Sequence, residues 1–314
     1  MMFRQIKVNE EDCYLQIIVW RDSETALLLM YLLNTVTYGT GPAPFLAMES
    51  IEELSIEESS EFPLAALVLI VDGYMDDIIT ESDDLKTVID LQKQLTTLLA
   101  RDQFPLRKWR SNDERILQQL SHESKADDLL ILNKEEPMKT LRILWDQKTD
   151  TFQYSVKSMN NTKITKRVIL SEISQIYDLL GKLEPIIIKA KIIMQQLWSL
   201  NIGWDESLPQ DLYSKWKAYR LSLTQLNELR IPRCIKNNSS RKITIFEFGD
   251  ASEKAYGACL YAVTQSENGE FCSNLLCAKF RVAPLKALTI ARLELCAARL
   301  IAKLSQTARQ ALGD

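Results

Sequence analysis

The stretch LVLIVDGYMDDIIT, residues 67–80, decides how the first part of the chain is read, because it sets two adjacent aspartates between two apolar runs. The run LAALVLIV at 64–71 has the length and β-branching of a buried strand, and the short IIT at 78–80 reads as its return partner. On that reading Asp76 and Asp77 sit at a hairpin tip. Two carboxylates a few ångströms apart repel by roughly one to several kcal/mol unless a cation stands beside them. Mg²⁺ takes one or two carboxylates together with waters and substrate phosphates, so the pair forms a half-site for phosphoryl transfer. Ordinary turn acids are the competing reading.

Working outward, Ser82 is placed to cap a helix over about 83–101, with Asp83 and Asp84 in its first turn. Its apolar face, Leu85, Val88, Leu91, Leu95, Leu98 and Leu99, is expected to pack on the sheet of the hairpin. Before the hairpin, apolar segments over 11–33 end at a break forced by Gly39, Gly41, Pro42 and Pro44. The GTGP within that break is no phosphate cradle, because no third glycine follows and Pro42 removes an N–H donor.

A charged stretch runs to Pro137, and LRILWDQKTDTFQYSV at 141–156 reads as a hairpin turning at Lys148 to Asp150. Two helices then meet at a corner made by Gly181 and Pro185, and Pro209 opens a third. The polar KNNSSRK at 236–242 is the best linker in the chain. Three antiparallel strands, ITIFEFGDAS, AYGACLYAV and NLLCAKFRV, precede an amphipathic helix, TIARLELCAARLIAKLSQTA. The second candidate site lies here. Asp250 ends the first of these strands and Glu294 falls inside the final helix. A strand-end aspartate facing a helix glutamate is what a two-metal nuclease needs, since each ion takes acidic ligands from separate elements. A surface glutamate paired with Arg292 is the plainer alternative.

Composition bounds the rest. The 314 residues, 46% of them hydrophobic, can fill two or three domain cores. No apolar run is long and uninterrupted enough for a bilayer span, and the N-terminal residues lack the core of a secretory signal. An intracellular protein, of cytoplasm or nucleus, is expected. Six scattered cysteines and one histidine, His122, argue against a zinc site or a disulfide framework. The net charge of −4 conceals an asymmetry: residues 1–100 hold 5 Lys and Arg against 18 Asp and Glu, and the remaining 214 hold 33 against 24. The basic remainder is compatible with a polyanionic partner.

Several blocks, in this order, carry a resemblance: TVTYGTGPAPFLA, FPLAALVLIVDGYMDDIIT, LQKQLTTLLARDQFPLRKWRSND, TKRVILSEISQIYDLLGKLEPIIIKAKIIMQQLW, FGDASEKAYGACLYA and AKFRVAPLKALTIARLELCAARLIAKL. They resemble the polymerase-encoding region of BEL/Pao-type LTR retrotransposons, over essentially the whole chain. The resemblance implies an α+β to α/β multidomain fold: a partial reverse transcriptase palm over 1–110, a helical thumb and connection over 111–240, and the N-terminal half of an RNase H-like domain over 241–314. It further implies that Asp76 and Asp77 are the paired palm aspartates and that Asp250 and Glu294 are the first two acids of the RNase H-like site. Tyr74, Met75, Lys108 and Trp109 would then lie against nucleic acid, Mg²⁺ would be the cofactor, and an RNA/DNA template-primer or hybrid the partner.

The family is also catalogued under a peptidase name, yet neither Asp-Thr-Gly nor Asp-Ser-Gly occurs in the chain, and His122 lies in a charged stretch. Two departures from the family bear on activity. The stretch FRQI at 3–6 also resembles the family; the aspartate that precedes this element there is expected upstream of Met1, and the later acids of the RNase H-like site downstream of Asp314. The expectation is therefore a polyprotein fragment, inactive alone, whose missing segments come from elsewhere. A catalytically dead nucleic-acid-binding module is the alternative, and a relic with unpaired sheet edges a third. Gly73 and Gly249 stand where the family usually has an aromatic residue and a cysteine, and both are expected to loosen local packing.

Overall fold

The computed structural model describes residues 2–123, 138–140, 143–156, 163–235, 243–266 and 268–312. The chain forms two compact units, Met1–Asn133 and Lys134–Asp314.

In the first unit β1 (Ile17–Trp20) and β2 (Leu29–Leu32) form an antiparallel ribbon in the register Ile17↔Leu32 to Trp20↔Leu29. Three helices make the core: α1 (Ala43–Glu57), α2 (Pro63–Val71) and α3 (Leu85–Arg101). The run expected as a buried strand is thus a helix. Proline at the first turn of α2 costs no hydrogen bond there and presets the helical φ. The Gln94 side chain of α3 then accepts from the N–H groups of Leu64 (3.0 Å) and Ala65 (3.3 Å), satisfying donors the helix start leaves open. Ala65 and Leu69 of α2 pack with Leu91, Leu95, Leu98 and Leu99 of α3 and Leu54 of α1, so α3 rests on a helix and not on a sheet.

Two further expectations shift in detail. The cap of α3 is Asp84, whose carboxylate takes the N–H (2.8 Å) and hydroxyl (2.7 Å) of Thr87, while Ser82 accepts from the N–H of Asp84. The acidic stretch after residue 48 runs along α1 and past its end, where Glu58 and Glu61 clamp Arg101, itself stacked 4.5 Å from the Phe62 ring centroid. Between α2 and α3 lie β3 (Gly73–Tyr74) and β4 (Asp77–Ile78), and after α3 comes α4 (Glu114–Glu123).

The second unit begins with β5 (Met138–Thr140), β6 (Ile143–Asp146) and β7 (Thr151–Gln153), joined by β8 (Arg230–Pro232) in a four-stranded antiparallel sheet. The expected turn is present. Asp150 adopts φ 48° there and its carboxylate accepts from Trp145 Nε1 (2.9 Å) and pairs with Arg233 (2.6 Å). Helices α5 (Lys166–Ser174), α6 (Glu184–Ser199) and α7 (Gln210–Ser222) enclose a core of Ile169, Leu183, Ile193, Leu197, Leu212, Trp216 and Leu223. The expected linker at 236–242 lies outside the described residues.

Beyond it, β9 (Ile243–Ala251), β10 (Ala255–Gln265) and β11 (Phe271–Val282) form an antiparallel sheet in the order β11-β10-β9, and α8 (Ile290–Leu312) packs on β9 and β10. The α6 helix is fastened to β11. The N–H of Ala278 donates to Leu180 O (2.9 Å), Lys182 Nζ to Leu275 O (2.6 Å) and Gln195 Nε2 to Ala283 O (2.6 Å). Helices and sheet therefore make one body, in which β9 is the outer strand with α8 behind it.

Candidate metal and nucleic-acid site

Asp76 and Asp77 stand at a hairpin of two residues per strand, paired Gly73↔Ile78 and Tyr74↔Asp77. Asp76 is exposed, Asp77 half-buried, and Tyr74 56% exposed. Met75, in the turn, adopts φ 57°, a left-handed conformation that costs a non-glycine residue of order 1 kcal/mol and more and persists where surroundings enforce it. Two anchors enforce it here. Ile78 packs against the α1–α3 core, and Gly73 leaves α2 so closely that a Cβ there would fall 2.3 Å from Leu69 O. Glycine at 73 is thus required by packing and does not loosen it. Leu106 and Trp109 pack on that same core, Trp109 half-buried and Lys108 exposed, so hairpin and basic segment share a foundation.

The second candidate pair rides on β9 and α8. Alternation along β9 sends Ile245, Glu247 and Gly249 toward α8 and Phe246, Phe248 and Asp250 to the other face. Three contacts fix the register: Ile301 fills the space over Gly249, Ser305 Oγ donates to Glu247 Oε1 (2.5 Å), and Arg309 lies 3.8 Å from Glu247. Here too the glycine is packed tightly, against a side chain, so neither departure loosens its surroundings.

As β9 advances from 247 to 249, its contacts on α8 step back from 309 and 305 to 301. The end of β9 therefore points to the N-terminal turns of α8. Glu294 lies two turns, about 10 Å, before Ile301 and at nearly the same angular position on the helix. Asp250 and Glu294 are both exposed, and the contacts of Glu247 and Gly249 with α8 put Asp250 on the opposite face of β9, so the two carboxylates leave the strand and the helix on different sides. One oxygen of Asp250 accepts from the N–H of Ala251 (2.8 Å), which holds the carboxylate close to the backbone.

The sequence reading missed what stands beside Asp250. Phe248 is 54% exposed and Phe246 48% exposed, with Phe248 meeting Tyr261 edge-on at 6.0 Å. Their spacing, two and four residues before Asp250, carried the signal, since period-two alternation puts all three on one face. No group of three or more His, Cys, Asp or Glu able to hold a metal occurs among the described residues. Asp76 and Asp77, adjacent in the hairpin, offer two carboxylates, the number Mg²⁺ takes when phosphates and water complete its shell. No helix among the described residues is long and apolar enough to cross a membrane.

Compared with known families, residues 165–313 match the family model described as Pao retrotransposon-like RNaseH-like domain. The matched region takes in α5 to α7, expected as thumb and connection, together with the β9–β11 sheet and α8. No curated protein matches the chain.

Proposed function

We propose, from the match of residues 165–313 to the Pao retrotransposon-like RNaseH-like domain model, that this chain is part of a Pao/BEL retrotransposon polyprotein and that this body engages an RNA/DNA hybrid at the β9–α8 end. The observation that carries the reading is the family match itself, with Asp250 at the end of β9 and Glu294 in the N-terminal turns of α8 both inside the matched region. Asp250 and Glu294 would hold Mg²⁺, whose bound form supplies a Lewis acid and an activated water for phosphodiester hydrolysis. Phe246 and Phe248 would lie against the sugar faces or bases beside the scissile strand. The oxygen of Asp250 held by Ala251 N–H keeps that carboxylate in one orientation, so little reorganisation is needed when a phosphate arrives.

Asp76 and Asp77 are read in the same way as a palm-type pair for RNA-directed DNA synthesis, supported by the tight hairpin and the left-handed Met75. With two carboxylates at each site, turnover by this chain alone is expected to be very low. The test is Mg²⁺-dependent cleavage of the RNA strand of a hybrid at high enzyme concentration. Any cleavage should fall at least about a hundredfold in D250N and in E294Q, the loss typical of removing a group that stabilises developing charge. Cleavage that survives both substitutions would refute the assignment. A non-catalytic hybrid-binding module is the second reading, favoured by the exposed Phe246 and Phe248 rings, and binding without cleavage would select it.

A further inference from the structure

The start of α5 meets the end of α6 and the segment that follows it. Trp198 and Trp204 cross there at 89° with centroids 5.4 Å apart. Both remain in water, Trp198 54% and Trp204 40% exposed. Lys166 is buried between them, its Nζ donating to Ile202 O (3.0 Å) and lying 5.3 Å from the Trp198 centroid and 5.9 Å from that of Trp204. That ammonium occupies the inner angle of the two rings and fixes their orientation. A cationic ligand is thereby excluded from that angle, because the protein's own lysine already fills it. What is left to a ligand is the outer aromatic surface.

The charges around the rings are mixed. Arg167 donates its N–H to Trp204 O (3.1 Å), holds its guanidinium 5.8 Å from the Trp204 centroid, and pairs in a two-point contact with Asp205 (2.8 and 2.9 Å). Lys163 stands near enough to help hold the Asp205 carboxyl below its ordinary range, with the Arg167 hydrogen bond the larger cause. Lys163, Lys166 and Arg167 thus face Asp205 and Glu206, a small positive surplus. Rigid, solvent-facing indoles beside a weak positive field suit a flat ligand with a dispersed negative charge.

We propose that Trp198 and Trp204 form a stacking platform for the unpaired bases of a single-stranded nucleic acid, with Lys163 and Arg167 beside its phosphates. This rests on the reading of the chain as one that handles nucleic acid, and it adds a site remote in sequence from Asp250 and Glu294. Stacking would supply most of the affinity, and each stacked base is sequence-tolerant because every base presents a π-face. With so few cations, the platform should also be weakly salt-dependent, the logarithmic slope being about −0.7 for each phosphate neutralised.

The test titrates the full chain with a short oligouridylate in the presence of EDTA, following tryptophan fluorescence and, separately, fluorescence anisotropy of a labelled oligomer. Binding is expected to quench tryptophan emission and to persist without divalent metal. W198A should weaken binding roughly tenfold, while W198F, which keeps a ring and the fold, should stay within a few-fold of the parent. Because the titration is carried out in EDTA, binding that persists there and is lost in W198A separates this platform from the metal site. Absence of binding in EDTA, or equal affinity of W198A and parent by anisotropy, would overturn the platform whatever becomes of hybrid cleavage.

Discussion

Tyr219 carries a buried phenol on α7 in the helical core, and burial pushes its pKa up to about 12. Its hydroxyl has no hydrogen-bond partner among the described residues. Because the folded value lies above the ordinary value near 10, the contribution to stability is fully present below about pH 10 and is lost as pH rises toward 12. Tyr154 acts in the same direction, raised first by burial and then by the Asp178 carboxylate. Y219F should therefore unfold less steeply than the parent between pH 10 and 12 in thermal melts, with equal or higher stability at neutral pH, since an unpaired buried hydroxyl is removed. A Y219F variant with an unchanged alkaline profile would show that the phenol is not buried as described. The Asp250 and Glu294 carboxylates were legible one residue at a time. The register that turns Asp250 to the face of β9 away from α8 was not, because it depends on Ile301 meeting Gly249 across two elements separated by β10 and β11.

Elements were legible where periodicity was unambiguous. The amphipathic pattern of α8 and the alternating runs of β9 to β11 appear within a few residues of their observed limits, because one face of each is buried and the other is wet. The run at 64–71 was misread as a strand for the converse reason: it is apolar at every position, so it has no period, and its length fits either state. Proline at the helix start and the Gln94 side chain across on α3 decided for the helix, and the second of these is invisible along the chain. The corner between α5 and α6 was read correctly from Gly181, and the structure adds why it must be glycine. Gly181 adopts φ 72°, and a Cβ there would fall 1.7 Å from Ala278 O of β11. G181A should destabilise the second unit by more than about 2 kcal/mol, combining strain with a displaced sheet contact. Chemical denaturation followed by tryptophan emission measures it, and a change below about 0.5 kcal/mol would contradict the docking of α6 on β11.

At the scale of the molecule, two compact units carry the two acidic pairs, Asp76 with Asp77 in one and Asp250 with Glu294 in the other. The charge asymmetry follows the same division in sequence, acidic early and basic later. Purified chain supplied with a primed RNA template, deoxynucleotides and Mg²⁺ should give little or no extension, because two carboxylates supply only part of the stabilisation that two-metal phosphoryl transfer draws on. Robust extension in that assay would reverse this expectation.

The central claim is that Asp250 and Glu294 together hold a divalent ion for phosphodiester chemistry. The most direct measurement is Mn²⁺ binding, read by electron paramagnetic resonance, in a full-length chain carrying D76N and D77N so that the other pair is silent. In the presence of an RNA/DNA hybrid, one class of bound Mn²⁺ is predicted, weakened at least about tenfold by adding either D250N or E294Q, as loss of a charged ligand requires. Mn²⁺ binding that is absent in the parent, or unchanged by both substitutions, would contradict it.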